Sequence, residues 1–214
     1  MLPREIPRDD EGVMKALIAT PLHDGRAERD FINGLLQCHG LYYAWACVEG
    51  QANISLARDM LAGQFLASDC TTLVMIDGDI GFGRGDLETL LRSPHGVTSG
   101  MYPRKRDQGG WVFEPQDATV ERQIAAGKPF AVRHAGAGFL KVERRVLTDL
   151  TRAGNVAAYR GADGQTTHHF FRSCVVDGEF LSEDYSFCEL AAKAGHPVHV
   201  DPRIRLRHIG RRVY

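Results

Sequence analysis

Leu73-Val74-Met75-Ile76-Asp77-Gly78-Asp79 is a run of apolar residues that ends abruptly in two carboxylates separated by one glycine. A continuous apolar run of this length, bounded by a turn signal, reads as a strand buried on both faces of a sheet. In open α/β sheets ligands bind just beyond the carboxyl ends of the strands, so two acids placed there can hold a divalent cation over a phosphate. Asp and Gly are also the commonest turn formers, and the tripeptide taken alone is just as well a plain strand-to-turn connection.

Upstream of this run, Ile54, Ala57, Leu61 and Phe65 fall at helical spacing over 53–67, and 41–48 reads as a strand. A helical pattern over 26–37 and a first strand over 13–20, closed by Pro21 and the Asp24-Gly25 turn, complete a β-α-β-α-β series. Downstream come a helix over 86–92, a strand over 97–101, a polar glycine-rich insert over 103–130 and an apolar strand over 137–142. Ser182 can cap a helix that Gly195 and Pro197 end, and 198–200 forms a late strand. This alternation predicts an α/β fold: a Rossmann-like, mostly parallel sheet covered by helices on both faces.

With 214 residues, the chain fits a single domain over 13–214 after a polar leader, 1–12, the 103–130 insert being the expected specificity loop. Its net charge of −1 gives no reason to expect bulk electrostatic binding to nucleic acid or membrane, so recognition must be local. No apolar run reaches the length of a membrane span, and the first residues are charged rather than signal-like. The five cysteines, Cys38, Cys47, Cys70, Cys174 and Cys188, are odd in number and contain no CxxC pair. That argues against a disulfide framework or zinc site and suits a reducing cytoplasm.

Several residues carry chemistry. A turn at Gly78 lets Asp77 and Asp79 reach one cation, and hard oxygen ligands suit Mn2+ or Mg2+ shared with phosphate oxygens. Neither GxxxxGK[ST] nor GxGxxG occurs, which sets aside P-loop and dinucleotide binding. Glu183 and Asp184 sit in a helical first turn, where they either complement the macrodipole or supply a general base. Arg58 can clamp phosphate or pair with Asp59 or Glu49, and Arg104, Lys105 and Arg106 either meet a diphosphate or are solvated. Gly136-Ala137-Gly138 permits close backbone approach to a ligand, or simply a bend. His168, His169, His196 and His199 lack an accompanying cluster and read as structural or surface histidines.

In this order, the pieces resemble glycosyltransferases of the GT-A fold, especially the large inverting, family 2-like group that uses nucleotide-diphosphate sugars. The carrying residues are Ala19-Thr20-Pro21 after the first strand, Asn53 with Ala57-Arg58, the DxD Asp77-Gly78-Asp79, Gly136-Ala137-Gly138-Phe139, Ser182-Glu183-Asp184 and His208. The resemblance spans about residues 14–210. It implies that Thr20, Pro21, Asn53, Arg58, Asp77, Gly136 and Gly138 bind the donor. It implies Asp77, Asp79 and His208 as ligands of Mn2+ or Mg2+, and Asp184 or Glu183 as the base. The expected reaction moves one sugar from a nucleotide-diphosphate sugar to an acceptor hydroxyl with inversion. No QxxRW motif of processive synthases occurs. A sugar nucleotidyltransferase would place a glycine-rich basic loop where this chain has Thr20-Pro21-Leu22-His23-Asp24-Gly25-Arg26. A non-catalytic binding protein on the same fold is the other alternative.

Overall fold

The first five elements follow the predicted alternation: β1 (Ala16–Leu22), α1 (Arg29–Gln37), β2 (Tyr43–Glu49), α2 (Ile54–Ala67) and β3 (Thr72–Ile76). The computed structural model describes residues 15–41, 43–106, 109–161, 164, 166–210 and 213; the leader over 1–12 and the expected strand start at 13 lie outside them. Next come β4 (Ile80–Gly81), α3 (Arg84–Leu91), β5 (Val97–Met101), β6 (Phe113–Pro115), α4 (Val120–Ala126), β7 (Phe130–Ala135), β8 (Phe139–Glu143) and α5 (Arg144–Arg152). Two antiparallel pairs follow, β9 (Ala158–Arg160) with β10 (Thr166–His168), and β11 (Cys174–Val176) with β12 (Glu179–Leu181). The chain closes with α6 (Glu183–Lys193), β13 (Val198–Arg205) and β14 (Arg207–His208).

Eight strands form one sheet in the order β2-β1-β3-β8-β5-β13-β7-β6. The pairs β2/β1, β1/β3 and β5/β13 are parallel. The other neighbours, β3/β8, β8/β5, β13/β7 and β7/β6, are antiparallel. The sheet is therefore mixed rather than mostly parallel. Only residues 136–138 separate β7 from β8, too few for a crossover helix, so the chain steps from beside β13 into the gap between β3 and β5 without reversing.

Alternation along the central strands assigns two cores. Leu17, Ala19, Leu73 and Met75 pack with Ala57, Leu61 and Phe65 of α2, Val146, Leu147 and Leu150 of α5, and Phe187 and Ala191 of α6. Ala16, Ile18, Val74 and Ile76 face the other way, toward Phe31 of α1 and Leu87, Leu90 and Leu91 of α3. A strand buried on both sides reads as a near-continuous apolar run, and 72–76, fully buried, is apolar in all but Thr72. β1 runs on through Pro21, because its β3 neighbour ends at Ala19 and only the β2 side still pairs there. The insert is itself structured, holding β6 and α4. None of the five cysteines is disulfide-bonded, and no helix among the described residues is long and apolar enough to cross a membrane.

Candidate functional site

Helix α2 begins where Asn53 accepts hydrogen bonds from the amides of Ser55 (3.0 Å) and Leu56 (3.4 Å), satisfying donors the helix itself cannot. That start fixes the direction of Arg58, one turn in and 3% exposed. Its Nη2 donates to both carboxylate oxygens of Asp77, at 3.0 and 3.1 Å, and its Nε lies 3.7 Å from Oε1 of Glu183. Thus Arg58 joins the end of β3 to the start of α6, and neither Asp59 nor Glu49 is its partner. Asp59, buried in full, instead takes the amide of Phe171 at 2.9 Å and Nδ1 of His169 at 2.5 Å, tying α2 to the segment after β10.

The charges in this cluster are interdependent. Burial opposes the charge on Arg58, but Asp77, Glu183 and Asp184 outweigh it and hold the guanidinium above its ordinary range. Burial raises the Asp77 carboxyl; Arg58 counters this in part, and Asp79 and Asp184 reinforce it. Glu183 is likewise raised by burial against the pull of Arg58. A water-poor pocket holding three acids around one arginine favours any further cation.

Asp184 differs from Glu183 in its surroundings. Its Oδ1 accepts from the Ser182 hydroxyl and from the amide of Tyr185 at 2.9 Å, while Oδ2 has no partner among the described residues. Ser182 stands at the N-cap of α6 as expected, but its hydroxyl orients Asp184 instead of capping the backbone. Glu183 is engaged with Arg58; Asp184 keeps one oxygen available.

Asp79 and His208 meet through a two-residue ladder in which Arg207 and His208 of β14 pair with Gly81 and Ile80 of β4, and the amide of Ile209 donates to the Asp79 carbonyl at 2.8 Å. Nδ1 of His208 lies 2.8 Å from the Pro103 carbonyl, which only accepts, so Nδ1 carries a proton, and in the neutral ring Nε2 presents a lone pair. That lone pair faces Oδ1 of Asp79 at 3.6 Å, and Oδ1 is buried without a hydrogen-bond partner. Adjacent ligands of an octahedral ion bonded at about 2.1 Å stand about 3.0 Å apart, so a small closure would let both atoms hold one cation. A histidine whose Nδ1 is fixed by a backbone carbonyl is a favourable metal ligand. Among the described residues, however, no three His, Cys, Asp or Glu side chains are arranged as a metal-binding group. Asp77 is turned to Arg58, and Oδ2 of Asp79 is paired with the ammonium of Lys105.

A cleft of about 810 Å³ lies beside these acids, between the loop from Pro21 to Glu28, Ile54, and Asp77-Gly78-Asp79. Its size suits a small ligand of nucleotide dimensions. Pro21 lines it, whereas Thr20 is buried beneath, accepting from Nε1 of Trp45 at 3.0 Å. Asn53 is outside the cleft wall, its neighbour Ile54 within it. Gly136 and Gly138 make room for Tyr102: a Cβ on Gly136 would stand 2.1 Å from the Tyr102 hydroxyl, and one on Gly138 2.9 Å from it. Tyr102 was not anticipated as part of this region; buried under the glycines, it also meets the His208 ring edge-on at 5.3 Å. Of the four histidines without a sequence cluster, His169 pairs with Asp59, His196 with Asp149 at 3.0 Å, His199 stacks on His95, and the His168 ring lies 5.7 Å from that of Phe170.

No family model matches the chain, and no curated protein matches it in sequence. Among solved structures it is similar to A197 from STIV, at 16% identity and a TM-score of 0.60, over 92% of this chain and 86% of that one. It is also similar to GalNAc-T7, solved with UDP, GalNAc and Mn2+, at 12% identity and a TM-score of 0.53, over 94% of this chain and 45% of that one. At these identities the likeness is one of fold alone, a distant similarity to a GT-A glycosyltransferase.

Proposed function

We propose that the chain is a metal-dependent glycosyltransferase that moves a single sugar from a nucleotide-diphosphate sugar to an acceptor hydroxyl, with inversion. The observation that carries the reading is that Asp77 and Asp79, just past β3, meet Arg58 and His208 of β14 respectively, with Glu183 and Asp184 of α6 acting on the same arginine and the cleft beside the two aspartates. The Mn2+-bound, UDP-bound neighbour of similar fold supports it.

In this reading, Pro21 and Ile54 wall the nucleotide, and Asp79 with His208 holds Mn2+ or Mg2+, the imidazole nitrogen favouring Mn2+. Bound there, the ion offsets charge developing on the departing diphosphate, a contribution of several kcal/mol. Arg58 favours the charged form of Asp77 against its burial and braces Glu183, so the cluster is held in place before substrate arrives. Oδ2 of Asp184 accepts the acceptor's hydroxyl proton as that oxygen bonds to the anomeric carbon and the bond from carbon to diphosphate oxygen breaks. Ser182 holds the other oxygen and thereby aims the base. The insert over 103–130 shapes the acceptor side.

The deciding experiment is a thermal-shift screen of UDP, GDP, CMP and their sugars, each with Mn2+, Mg2+ or EDTA. Ligand that binds only the folded chain stabilises it by RT ln(1 + [L]/Kd). A shift with one nucleotide family that EDTA removes is the expected result. Absence of any shift from a folded sample would favour a non-catalytic protein on the same fold.

A further inference from the structure

Three consecutive residues of the insert touch three different parts of the site. The Pro103 carbonyl fixes Nδ1 of His208, Nη2 of Arg104 donates to the Tyr185 hydroxyl at 2.9 Å, and the Lys105 ammonium pairs with Oδ2 of Asp79. Arg104 is anchored further: its Nε donates to the Trp111 carbonyl at 2.9 Å, and its amide to the Gly110 carbonyl at 2.9 Å. The backbone around Lys105 is thus tied on both sides of the site, while its side chain remains 33% exposed.

We infer that Lys105 is a resident counter-cation of Asp79, which a divalent ion entering between Asp79 Oδ1 and His208 Nε2 must displace. The inference rests on the metal reading given above. Asp79 carries one negative charge, and the ammonium already neutralises it. Asp77 is no substitute, because both its oxygens face Arg58. A dication added to this shell meets a like charge across a single carboxylate, so it binds weakly while the ammonium stays. Rotation of the Lys105 side chain is enough to relieve the conflict, since the anchored backbone need not move. The released ammonium stays tethered next to the cleft, where a diphosphate is its natural partner. Metal and nucleotide diphosphate therefore bind cooperatively, and the same lysine that weakens metal binding in the free chain strengthens diphosphate binding once the metal is in place.

The test is titration of the full chain with Mn2+ alone, following free Mn2+ by electron paramagnetic resonance. Lys105→Met is expected to bind Mn2+ about tenfold tighter than wild type, within the usual span of such couplings. Lys105→Arg, which keeps the charge, should stay near wild type, and Asp79→Asn should bind poorly. If Lys105→Met binds no tighter while Asp79→Asn still weakens binding, the metal site stands and Lys105 is not its competitor. Equal tightening in Lys105→Arg and Lys105→Met would likewise overturn the charge argument. If no chain binds Mn2+, Lys105→Met included, the metal reading itself fails and this inference with it.

Discussion

The Tyr102 hydroxyl accepts the amide of Gly138 at 2.9 Å and fills the space where a Cβ of Gly136 would project. The glycine pair therefore serves the close approach of a buried tyrosine behind Asp77, whatever binds in front. Gly136→Ala should destabilise the chain by about 1–3 kcal/mol through overpacking, read as a lower melting temperature. Tyr102→Phe added to it should return part of the loss, because the nearest atom is gone. Strictly additive losses would place the clash at Val112, whose Cγ1 lies 2.6 Å from the same point.

Much of the scaffold is readable from local pattern. The apolar period of α2, its Asn53 cap and the apolar run Leu73–Ile76 of β3 are each set by neighbours within a turn or a pleat, so their sequence signals are strong. The sheet's mixed character is not local: β8 enters between β3 and β5 without a helix to announce it. Helix α5 did have a signal, Val146, Leu147 and Leu150 on one buried face, lost beside an apolar strand that runs straight into it. Within the site, the acids adjacent to Arg58 in sequence point to a local pair, whereas Asp77, nineteen residues on, takes it. His208 reaches Asp79 through a ladder of two residue pairs, too short to leave a periodic mark.

Removing the cation at the centre of the cluster tests its structural share. Arg58→Met leaves the Asp77 and Glu183 carboxylates facing each other with nothing between them, and breaking such a buried pair costs about 3 kcal/mol. Chemical denaturation should show a lower midpoint with an unchanged slope. A midpoint equal to wild type would mean that the acids are solvated well enough to need no counter-charge.

The buried Asp59 makes a pH-dependent prediction away from the cleft. Burial raises its carboxyl above the ordinary 3.8, although the Phe171 amide, His169 and Tyr159 pull the other way. The folded chain then keeps this proton to a higher pH than the unfolded chain does, so the associated stability is fully present below about pH 4 and is lost as pH rises through the raised value. Asp59→Asn cannot ionise. The difference in unfolding free energy between wild type and Asp59→Asn should therefore move in favour of the variant as pH climbs from about 4 to 7. A difference that stays constant over that range contradicts the assignment.

Asp184 and Glu183 can be told apart by their partners. Glu183 leans on Arg58 and is raised by burial, while Asp184 is held through Oδ1 by Ser182 and the Tyr185 amide, with Oδ2 unengaged. A base needs a free oxygen and a fixed direction, and only Asp184 has both. Asp184→Asn should lower turnover of the nucleotide sugar about 10²- to 10⁴-fold, as loss of a general base does, with nucleotide binding retained. Ser182→Ala should give a smaller fall in kcat, since the carboxylate survives but swings more widely. Glu183→Gln, by contrast, should act on stability through Arg58, and a kcat loss larger there than in Asp184→Asn would exchange the two roles.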